Sequence, residues 1–298
     1  MNKDINNRLG IIWILMSVSF ASVMSILVKE LGQTFDSRLL VLFRAGLLTI
    51  FLCLPVVAIP AFRHRLRFSK PYLHIFRGLL IAFSTHLGFF TLTVLPIATT
   101  IVLFFTAPIF ATILSIFINK ERVGLRRWLA VIIGFFGVLI VLQPGFEGSY
   151  TAMFSALLSS FLFALALAFS RNIVSADGSL SAYISSVLIT FFVSLPLAHP
   201  VLSNIEVHLS FYITIFLILL LAITSFLRGI GDIQAYHYGE AAVLAPFTYL
   251  RLIFVGAFGY FIWEEIPNNL TLLGAIIIIC AAIYIGQREA RVKSKSLR

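Results

Sequence analysis

Four arginines lie inside apolar stretches that are long enough to cross a lipid bilayer, namely Arg44, Arg77, Arg228 and Arg251, and Asp232 lies just beyond the predicted cytoplasmic end of one of these stretches. A charged side chain at the centre of a bilayer costs about 2.5–3.5 kcal/mol on insertion scales, so such residues face the interior of a helix bundle. A guanidinium can bind a carboxylate through two parallel hydrogen bonds, which an ammonium cannot reproduce. The pattern therefore predicts a site for an anionic group within a membrane bundle.

Arg251 is the strongest candidate, because it lies deep in its apolar stretch and beyond the kink expected at Pro246. Arg44 supports it, and Arg77 is a further candidate for substrate binding. Each has an alternative interpretation. Arg251 could pair with a carboxylate for packing alone, Arg44 could extend to the outer surface, and Arg77 could reach the cytoplasmic surface beside the basic segment 63–70.

Arg228 and Asp232 are four residues apart and therefore share one face of a helix. An internal ion pair is one interpretation. If the two residues straddle a cavity, Asp232 would instead carry a proton or meet a cationic substrate. Phe247 and Tyr249 flank Pro246 and are candidates for stacking on an aromatic ring of the substrate. Chance placement is the alternative, since the chain has 30 Phe and 9 Tyr.

The sequence contains no motif for catalysis or for a cofactor. A phosphate-binding glycine-rich loop with Lys and Ser/Thr is absent, and no His, Cys or Asp cluster has metal-ligand spacing. We therefore expect no catalytic residues, metal or cofactor. Cys53 and Cys280 both lie in apolar stretches, where they are expected to pack as small hydrophobic residues. The net charge of +10 resides mostly in short loops and at the C-terminus, so we expect no nucleic-acid partner.

The composition is that of an integral membrane protein. Hydrophobic residues make up 60% of the chain and charged residues 11%, whereas a soluble domain has about 25% charged residues. A helix needs about 20 apolar residues to cross the hydrocarbon core. The sequence offers ten candidate spans: Leu9–Val28, Leu39–Ile59, Leu73–Leu92, Ala98–Ile118, Trp128–Leu142, Ala152–Phe169, Ser181–Leu197, Phe211–Ile230, Ala241–Trp263 and Leu270–Gly286.

Lys and Arg predict the orientation of these spans. If the N-terminus is cytoplasmic, most of the 22 basic residues fall in cytoplasmic segments, and the outer loops hold only Lys29 and Arg38. This is the positive-inside pattern. Both termini are therefore predicted to be cytoplasmic. An even number of spans agrees with that placement.

The two halves of the chain echo each other at an offset of 143 residues. Glu121, at the end of the fourth span, falls on Glu264 at the end of the ninth, and both are expected to bond the start of the next span. Pro108 and Pro246 are expected to interrupt these two spans. An odd number of spans in each half inverts the halves, as in many secondary transporters with a site near the midplane.

Several motifs carry a family resemblance: Phe43-Arg44, Phe76-Arg77-Gly78, Leu95-Pro96-Ile97-Ala98-Thr99-Thr100 with Pro108, Asn119-Lys120-Glu121-Arg122, Gly134-Phe135-Phe136-Gly137-Val138, Gly239-Glu240-Ala241-Ala242 and Trp263-Glu264-Glu265. With them, the chain resembles the drug/metabolite transporter superfamily, in the family with two EamA-type repeats. The resemblance implies an all-α membrane protein of ten helices in two inverted five-helix repeats. The first repeat would cover residues 1–144, the second 145–287, and a basic cytoplasmic tail 288–298.

The segment Pro71–Leu80 is similar to family members that import S-adenosylmethionine in obligate intracellular bacteria. The resemblance thus implies a secondary transporter that moves a small polar or charged metabolite by alternating access, with S-adenosylmethionine uptake as the leading expectation. Export of amino acids or related metabolites is the alternative. Rivals of other classes are an intramembrane enzyme and a structural membrane protein. The expected partners are a metabolite and membrane lipid, and a homodimer is left open.

The charge distribution gives a test of topology. With Cys53 and Cys280 replaced by Ala, a cysteine at Ser203 should react with an impermeant thiol reagent on whole cells, and a cysteine at Ser294 should not, because only the former is predicted to lie outside. The labelled fraction is measured on gels, with permeabilised cells as the control. Labelling at Ser294 but not at Ser203 would reverse the orientation.

Overall fold

The computed structural model describes residues 6–64, 66–118, 125–142, 149–202, 211–238, 244 and 247–296. Within these ranges the chain forms helices and turns, and no strand. The helices are α1 (Asn7–Leu31), α2 (Ser37–Ala58), α3 (Pro60–Arg63), α4 (Pro71–Val94), α5 (Ile97–Phe104), α6 (Ala107–Ile118), α7 (Leu125–Leu142), α8 (Tyr150–Leu202), α9 (Phe211–Tyr238), α10 (Leu250–Trp263) and α11 (Asn269–Ser296).

The helices form where apolar residues predominate, and some begin at a polar residue that supplies a cap, whereas α4, α5 and α10 begin without a side-chain cap. Asn6 caps α1 by accepting from the backbone N–H of Leu9, and Asp36 caps α2 by accepting from that of Arg38. By length and composition, six described segments can cross a membrane: Asn7–Leu31, Ser37–Val56, Pro71–Val94, Tyr150–Ser170, Ile173–Leu202 and Tyr212–Ala235. Four shorter apolar helices coincide with the other predicted spans. The chain is therefore a multi-pass membrane protein.

The predicted fourth span is two helices rather than one. Helix α5 ends at Phe104 and α6 begins at Ala107, with Pro108 in the first turn of α6. A proline has no N–H and would clash with the carbonyl of residue i−4, so it breaks a helix interior but suits a first turn. The carbonyl of Leu103 accepts from the hydroxyls of Thr106 at 2.6 Å and Ser160 at 3.2 Å. The predicted interruption is present, and neighbouring hydroxyls satisfy the exposed backbone.

The corresponding part of the second half also contains a break. Tyr249 forms a turn immediately before α10 begins at Leu250. Pro246, which was expected to interrupt this span, lies outside the described residues, as do Glu121, Glu240 and the loop 203–210.

Two boundaries differ from the sequence prediction. Helical residues continue between the sixth and seventh predicted spans, and the change of direction occurs at Gly178, whose φ is +85°. Glycine takes this left-handed conformation without the Cβ clash that other residues suffer. The final helix continues to Ser296, so the predicted tail 288–298 begins as a helix rather than a frayed end. Its Gln, Arg, Glu, Ala and Lys residues all have high helix propensity.

Three helix pairs make the most extensive contacts: α4 with α8, α1 with α9, and α7 with α11. The core runs through α1, α2, α4 and α5, where Leu31, Leu40, Val41 and Ile101 are fully buried. Many large apolar side chains on the outer faces remain exposed, which suits contact with lipid.

The packing of α7 against α11 depends on two glycines. A Cβ added at Gly274 would lie 2.7 Å from the backbone oxygen of Gly137, and one added at Gly137 would lie 3.1 Å from that of Gly274. Small residues allow such close backbone approach between membrane helices.

Gly274→Ala should destabilise the protein, because the backbone of α7 cannot move aside cheaply. We expect a loss of about 1–3 kcal/mol, the usual cost of overpacking, seen as a lower Tm in detergent. Gly256→Ala in α10 is the matched control, because a Cβ there meets nothing within 4 Å. Equal Tm values for the two variants would contradict this account of the α7–α11 contact.

Candidate functional site

Arg251, the second residue of α10, is bonded to α1 and has unused hydrogen-bonding capacity. Its Nη2 donates to the hydroxyl of Ser25 at 2.7 Å. Its Nε is buried and has no acceptor. No carboxylate of a described residue lies within ion-pair distance of it. Among the described residues, Arg251 therefore does not form the alternative arrangement, in which it would pair with a carboxylate for packing.

Arg44 on α2 is satisfied in a similar way. Its Nε donates to the hydroxyl of Ser225 on α9 at 2.9 Å, and its Cζ lies 5.4 Å from the centroid of the Phe89 ring. It too has no carboxylate partner in the described part of the chain. The neighbours Phe43 and Leu252 pack against one apolar core, so Arg44 and Arg251 border the same cluster.

Arg228 and Asp232 form the ion pair that their spacing predicts, but a loose one. Nε of Arg228 lies 3.7 Å from Oδ2 of Asp232. The hydroxyl of Ser17 on α1 lies 2.5 Å from Oδ1 of Asp232 and 3.2 Å from the carbonyl of Arg228. A Cβ at Gly231 would meet Ser17 at 2.9 Å, so this glycine permits the close approach of α1 and α9.

Electrostatic interactions connect these groups into one cluster. Arg228 repels both Arg44 and Arg251, and Asp232 attracts Arg251. Tyr183, on the second half of α8, interacts with Arg44, Arg228 and Asp232. The cluster thus contains three arginines and one aspartate, contributed by α2, α9 and α10. It carries an excess of positive charge and is chemically suited to an anion.

Arg77 lies apart from this cluster. Its Nε donates to Ser170 at 2.7 Å, and its Nη1 donates to the carbonyl of Ala182 at 2.9 Å and to Ser186 at 2.5 Å. All three acceptors belong to α8, on both sides of Gly178. Arg77 therefore ties α4 to the bend in α8.

The two aromatic candidates have different surroundings. The ring of Tyr249 packs edge-on against Phe105, with centroids 4.9 Å apart, so the two helix breaks face each other. Phe247 packs against a small apolar core that includes Ile14 and Leu244. The structure thus places Tyr249 where the two interrupted helices meet, and it places Phe247 against an apolar core.

Sequence reasoning missed the hydroxyl groups that hold the arginines and the aspartate. Ser17 and Ser25 are eight residues apart on α1, which places them near one face. Serines on an apolar face were a detectable signal, but their partners are distant in sequence. Tyr183 was missed for the same reason.

One end of the bundle is held by a salt bridge between Lys29 on α1 and Glu265, which follows α10; we call this the Lys29–Glu265 junction. Nζ of Lys29 also donates to the carbonyl of Leu95 at 3.3 Å and lies 5.2 Å from the centroid of the Trp263 ring. Glu265 accepts from the backbone N–H of Ile97 at 2.9 Å. The ion pair thereby satisfies the last carbonyl after α4 and the first N–H of α5.

Glu265 bonds the start of α5, an earlier helix of the chain, whereas the sequence predicted a bond from Glu264 to the start of the next span. Glu264 adopts a left-handed conformation with φ of +56°, which ends α10 and directs the following residue back toward α5. At the same end of α1, hydrogen bonds from Arg38 hold the pKa of Asp36 below its ordinary value.

The opposite end of the bundle contains a second buried polar cluster. Asp177 accepts from the backbone N–H of Ser69 at 3.0 Å and lies 3.0 Å from Nε2 of His74. Nδ1 of His74 lies 2.9 Å from the hydroxyl of Ser185. These bonds fix the start of α4 against the bend in α8.

The described ranges contain no candidate metal site, and the groove beside α4 and α8 is apolar. No group of three or more His, Cys, Asp or Glu in them is placed to hold a metal ion. An open groove of about 440 Å³ beside α4 and α8 is entirely apolar in its lining: Leu79, Phe83, Ile189, Phe192, Val193, Pro196 and Leu197. Its character suits lipid rather than a polar solute.

Comparison with known proteins finds similarity to named transporters. Residues 8–143 match the EamA-like transporter family. The chain is 30% identical over 294 residues to the S-adenosylmethionine uptake transporter of Rickettsia bellii, with 97% of each chain covered. It is 26% identical over 281 residues to the pseudopaline exporter CntI of Pseudomonas aeruginosa, which covers 93% of this chain and 95% of that protein.

A crystal structure of a protein with 15% sequence identity has a similar fold. The TM-score is 0.60, and the match covers 95% of this chain and 97% of the other. At this level of identity, the likeness concerns the fold alone.

Proposed function

Because this chain belongs to the EamA-like transporter family, we propose that it is a secondary transporter that imports S-adenosylmethionine, or a closely related charged metabolite, across the bacterial inner membrane. Family membership confirms the resemblance inferred from the motifs, and the named relatives are transporters rather than enzymes. The observation that carries the substrate proposal is that Arg251 and Arg44 are bonded to serines and to no carboxylate of the described residues.

The chemistry of this cluster suits an amino-acid substrate with an aromatic base. A substrate carboxylate would accept from the unused donors of Arg251, and Arg44 would add to the positive field. Tyr249 and Phe105, at the two helix breaks, supply aromatic surface for an adenine ring. S-adenosylmethionine carries a carboxylate, an adenine ring and positive charge, and it is the molecule named for the Rickettsia bellii relative.

The proposed architecture is two inverted five-helix repeats, residues 1–144 and 145–287. The helix starts support it, because Asn7 and Tyr150 are 143 residues apart, as are Ala107 and Leu250. The contacts support it as well. Under this offset, the pairing of α1 with α9 corresponds to the pairing of the first half of α8 with α4. Such an exchange of partners is expected when two repeats are related by a pseudo-two-fold axis.

Alternating access between the two ends of the bundle is the proposed mechanism. At the end closed by the junction, Lys29 and Glu265 retain only 13% and 23% of their side-chain exposure. Nearer the other end, Arg228 and Asp232 retain 29% and 40%. A charge exposed to lipid is costly, so these side chains face aqueous space. We therefore infer that this conformation is open toward the C-terminal end of α9, on the predicted cytoplasmic side, and closed at the Lys29–Glu265 junction.

Export is the second candidate, and the similarity to a named exporter favours it over any non-transport role. The same cluster would serve a substrate loaded from the cytoplasm. The direction of net movement distinguishes the two: in cells, an importer raises the intracellular amount of a substrate supplied outside, whereas an exporter lowers the amount of a substrate present in the cytoplasm.

The substrate proposal is tested by uptake of labelled S-adenosylmethionine into proteoliposomes preloaded with unlabelled compound. Arg251→Lys should reduce uptake by about tenfold or more, because an ammonium cannot form the bidentate bond. Arg251→Gln should reduce it further. The amount of folded protein is measured in parallel, and Arg38→Lys at the membrane surface is the control. Uptake at the wild-type rate in both Arg251 variants would refute the binding role.

The Lys29–Glu265 junction gives a test of alternating access. In a protein without Cys53 and Cys280, cysteines at positions 29 and 265 should be joined by a short, reducible bifunctional thiol reagent. We expect at least about a tenfold loss of uptake, restored by reduction, because the closed end can no longer open. The two single-cysteine proteins, treated alike, are the controls. Full uptake by the cross-linked protein would show that this end does not open during transport.

A further inference from the structure

Asp232 has a carboxylate oxygen that its neighbours leave available. Oδ1 accepts from Ser17. Oδ2 lies 3.7 Å from Nε of Arg228, whereas a charge-assisted hydrogen bond between nitrogen and oxygen is about 2.7–2.9 Å long. The contact with Arg228 is therefore an electrostatic attraction without a hydrogen bond. An ionised carboxylate can accept about four hydrogen bonds, so the described residues leave most of the hydrogen-bonding capacity of Asp232 unused.

The exposed face of Asp232 points to water rather than lipid. Its side chain is 40% exposed although it lies within the apolar segment Tyr212–Ala235. An ionised group facing lipid in such a segment would be strongly unfavourable. Ser17 fixes one oxygen against α1, so the free oxygen is held in a defined position. A positively charged ligand reaching this face from the aqueous side would meet a preformed partner.

Tyr183 adds an aromatic group to the same place. A Cβ added at Gly229, three residues before Asp232, would come within 2.4 Å of the Tyr183 hydroxyl, so the phenol lies against α9. Tyr183 also interacts electrostatically with Asp232 and Arg228. A carboxylate beside an aromatic ring suits a cation that has no N–H to donate, because Coulomb attraction and the ring quadrupole hold it without hydrogen bonds.

We propose that Asp232, held by Ser17 and accompanied by Tyr183, is the subsite for the sulfonium centre of the substrate and selects charged sulfonium compounds over their neutral thioether counterparts. The inference rests on the proposed function. It assigns the part of the same site that binds the positive centre of the substrate. Arg251 takes the carboxylate, and Asp232, which attracts Arg251 electrostatically, takes the positive centre. Arg228 is the counter-ion of Asp232 when the site is empty, and the substrate displaces it.

The charge balance of the cluster supports this assignment. Three arginines and one aspartate favour an anion overall, so a cationic centre would be repelled unless it reached Asp232. In the described ranges, Asp232 is the carboxylate that interacts with Arg228 and Arg251. Discrimination between a sulfonium and a thioether must therefore depend on it.

The test compares two competitors that differ only in the methyl group on sulfur and its positive charge. Uptake of labelled S-adenosylmethionine by the full-length protein in proteoliposomes is competed by unlabelled S-adenosylmethionine or by S-adenosylhomocysteine. We expect the wild-type protein to prefer the sulfonium compound by about tenfold or more, in line with a close charge pair in a partly desolvated site. In Asp232→Asn, which keeps the shape and removes the charge, the preference should fall to about threefold or less.

Two further variants give the controls. Asp232→Glu keeps the charge and should retain part of the preference. Asp36→Asn removes a carboxylate outside the cluster while preserving a residue suited to cap α2, so the ratio should stay at the wild-type value. Tyr183→Leu removes the aromatic ring and should also lower the preference for S-adenosylmethionine over S-adenosylhomocysteine. It carries the test if Asp232→Asn is not recovered folded.

The outcomes separate this inference from the proposed function. If the wild-type protein takes up no S-adenosylmethionine, the proposed function fails. If it takes up the compound but does not discriminate the two competitors, the sulfonium subsite is wrong. The subsite is also wrong if Asp232→Asn, or Tyr183→Leu in its place, keeps the wild-type ratio. Equal loss of affinity for both competitors would make Asp232 structural and would likewise overturn the proposal.

Discussion

Every charged or unpaired polar group inside an apolar bundle must find a partner in the protein or in water, and this constraint organises the structure. The intramembrane arginines meet it mainly with serine hydroxyls. Arg44 bonds Ser225, Arg251 bonds Ser25, and Arg77 bonds two serines and a carbonyl. Hydroxyls satisfy the donors but do not neutralise the charge. Arg44 and Arg251 therefore retain a positive potential that a carboxylate ligand can use.

The same constraint explains how the interrupted helices are stabilised. Each break exposes backbone groups that lipid cannot satisfy. Hydroxyls of Thr106 and Ser160 bond the carbonyl of Leu103 at the first break. At the end of the bundle, Lys29 and Glu265 bond the backbone on both sides of the turn between α4 and α5. The Lys29–Glu265 ion pair also bonds the backbone between α4 and α5. It can therefore hold that end of the bundle closed, and all of these bonds can break together when the end opens.

The sequence predicted the features that depend on local pattern. Apolar stretches located the helices, Pro108 located a break, and the i, i+4 spacing of Arg228 and Asp232 predicted their pairing. What it could not predict depends on contacts distant in sequence. The bonds of Arg77 to α8 join residues that are far apart in sequence. The left-handed Glu264 made Glu265 the residue that bonds α5. Helix propensity extended α11 beyond its apolar part, to Ser296.

The central proposal is that Arg251, which has no carboxylate partner among the described residues, binds the carboxylate of the substrate. An experimental structure of the full-length protein with S-adenosylmethionine bound, by cryo-electron microscopy in nanodiscs, tests it most directly. The account predicts ligand density with its carboxylate within about 3 Å of the Arg251 guanidinium, near the break before α10. Density that places the carboxylate elsewhere, with Arg251 still bonded only to Ser25, would contradict it.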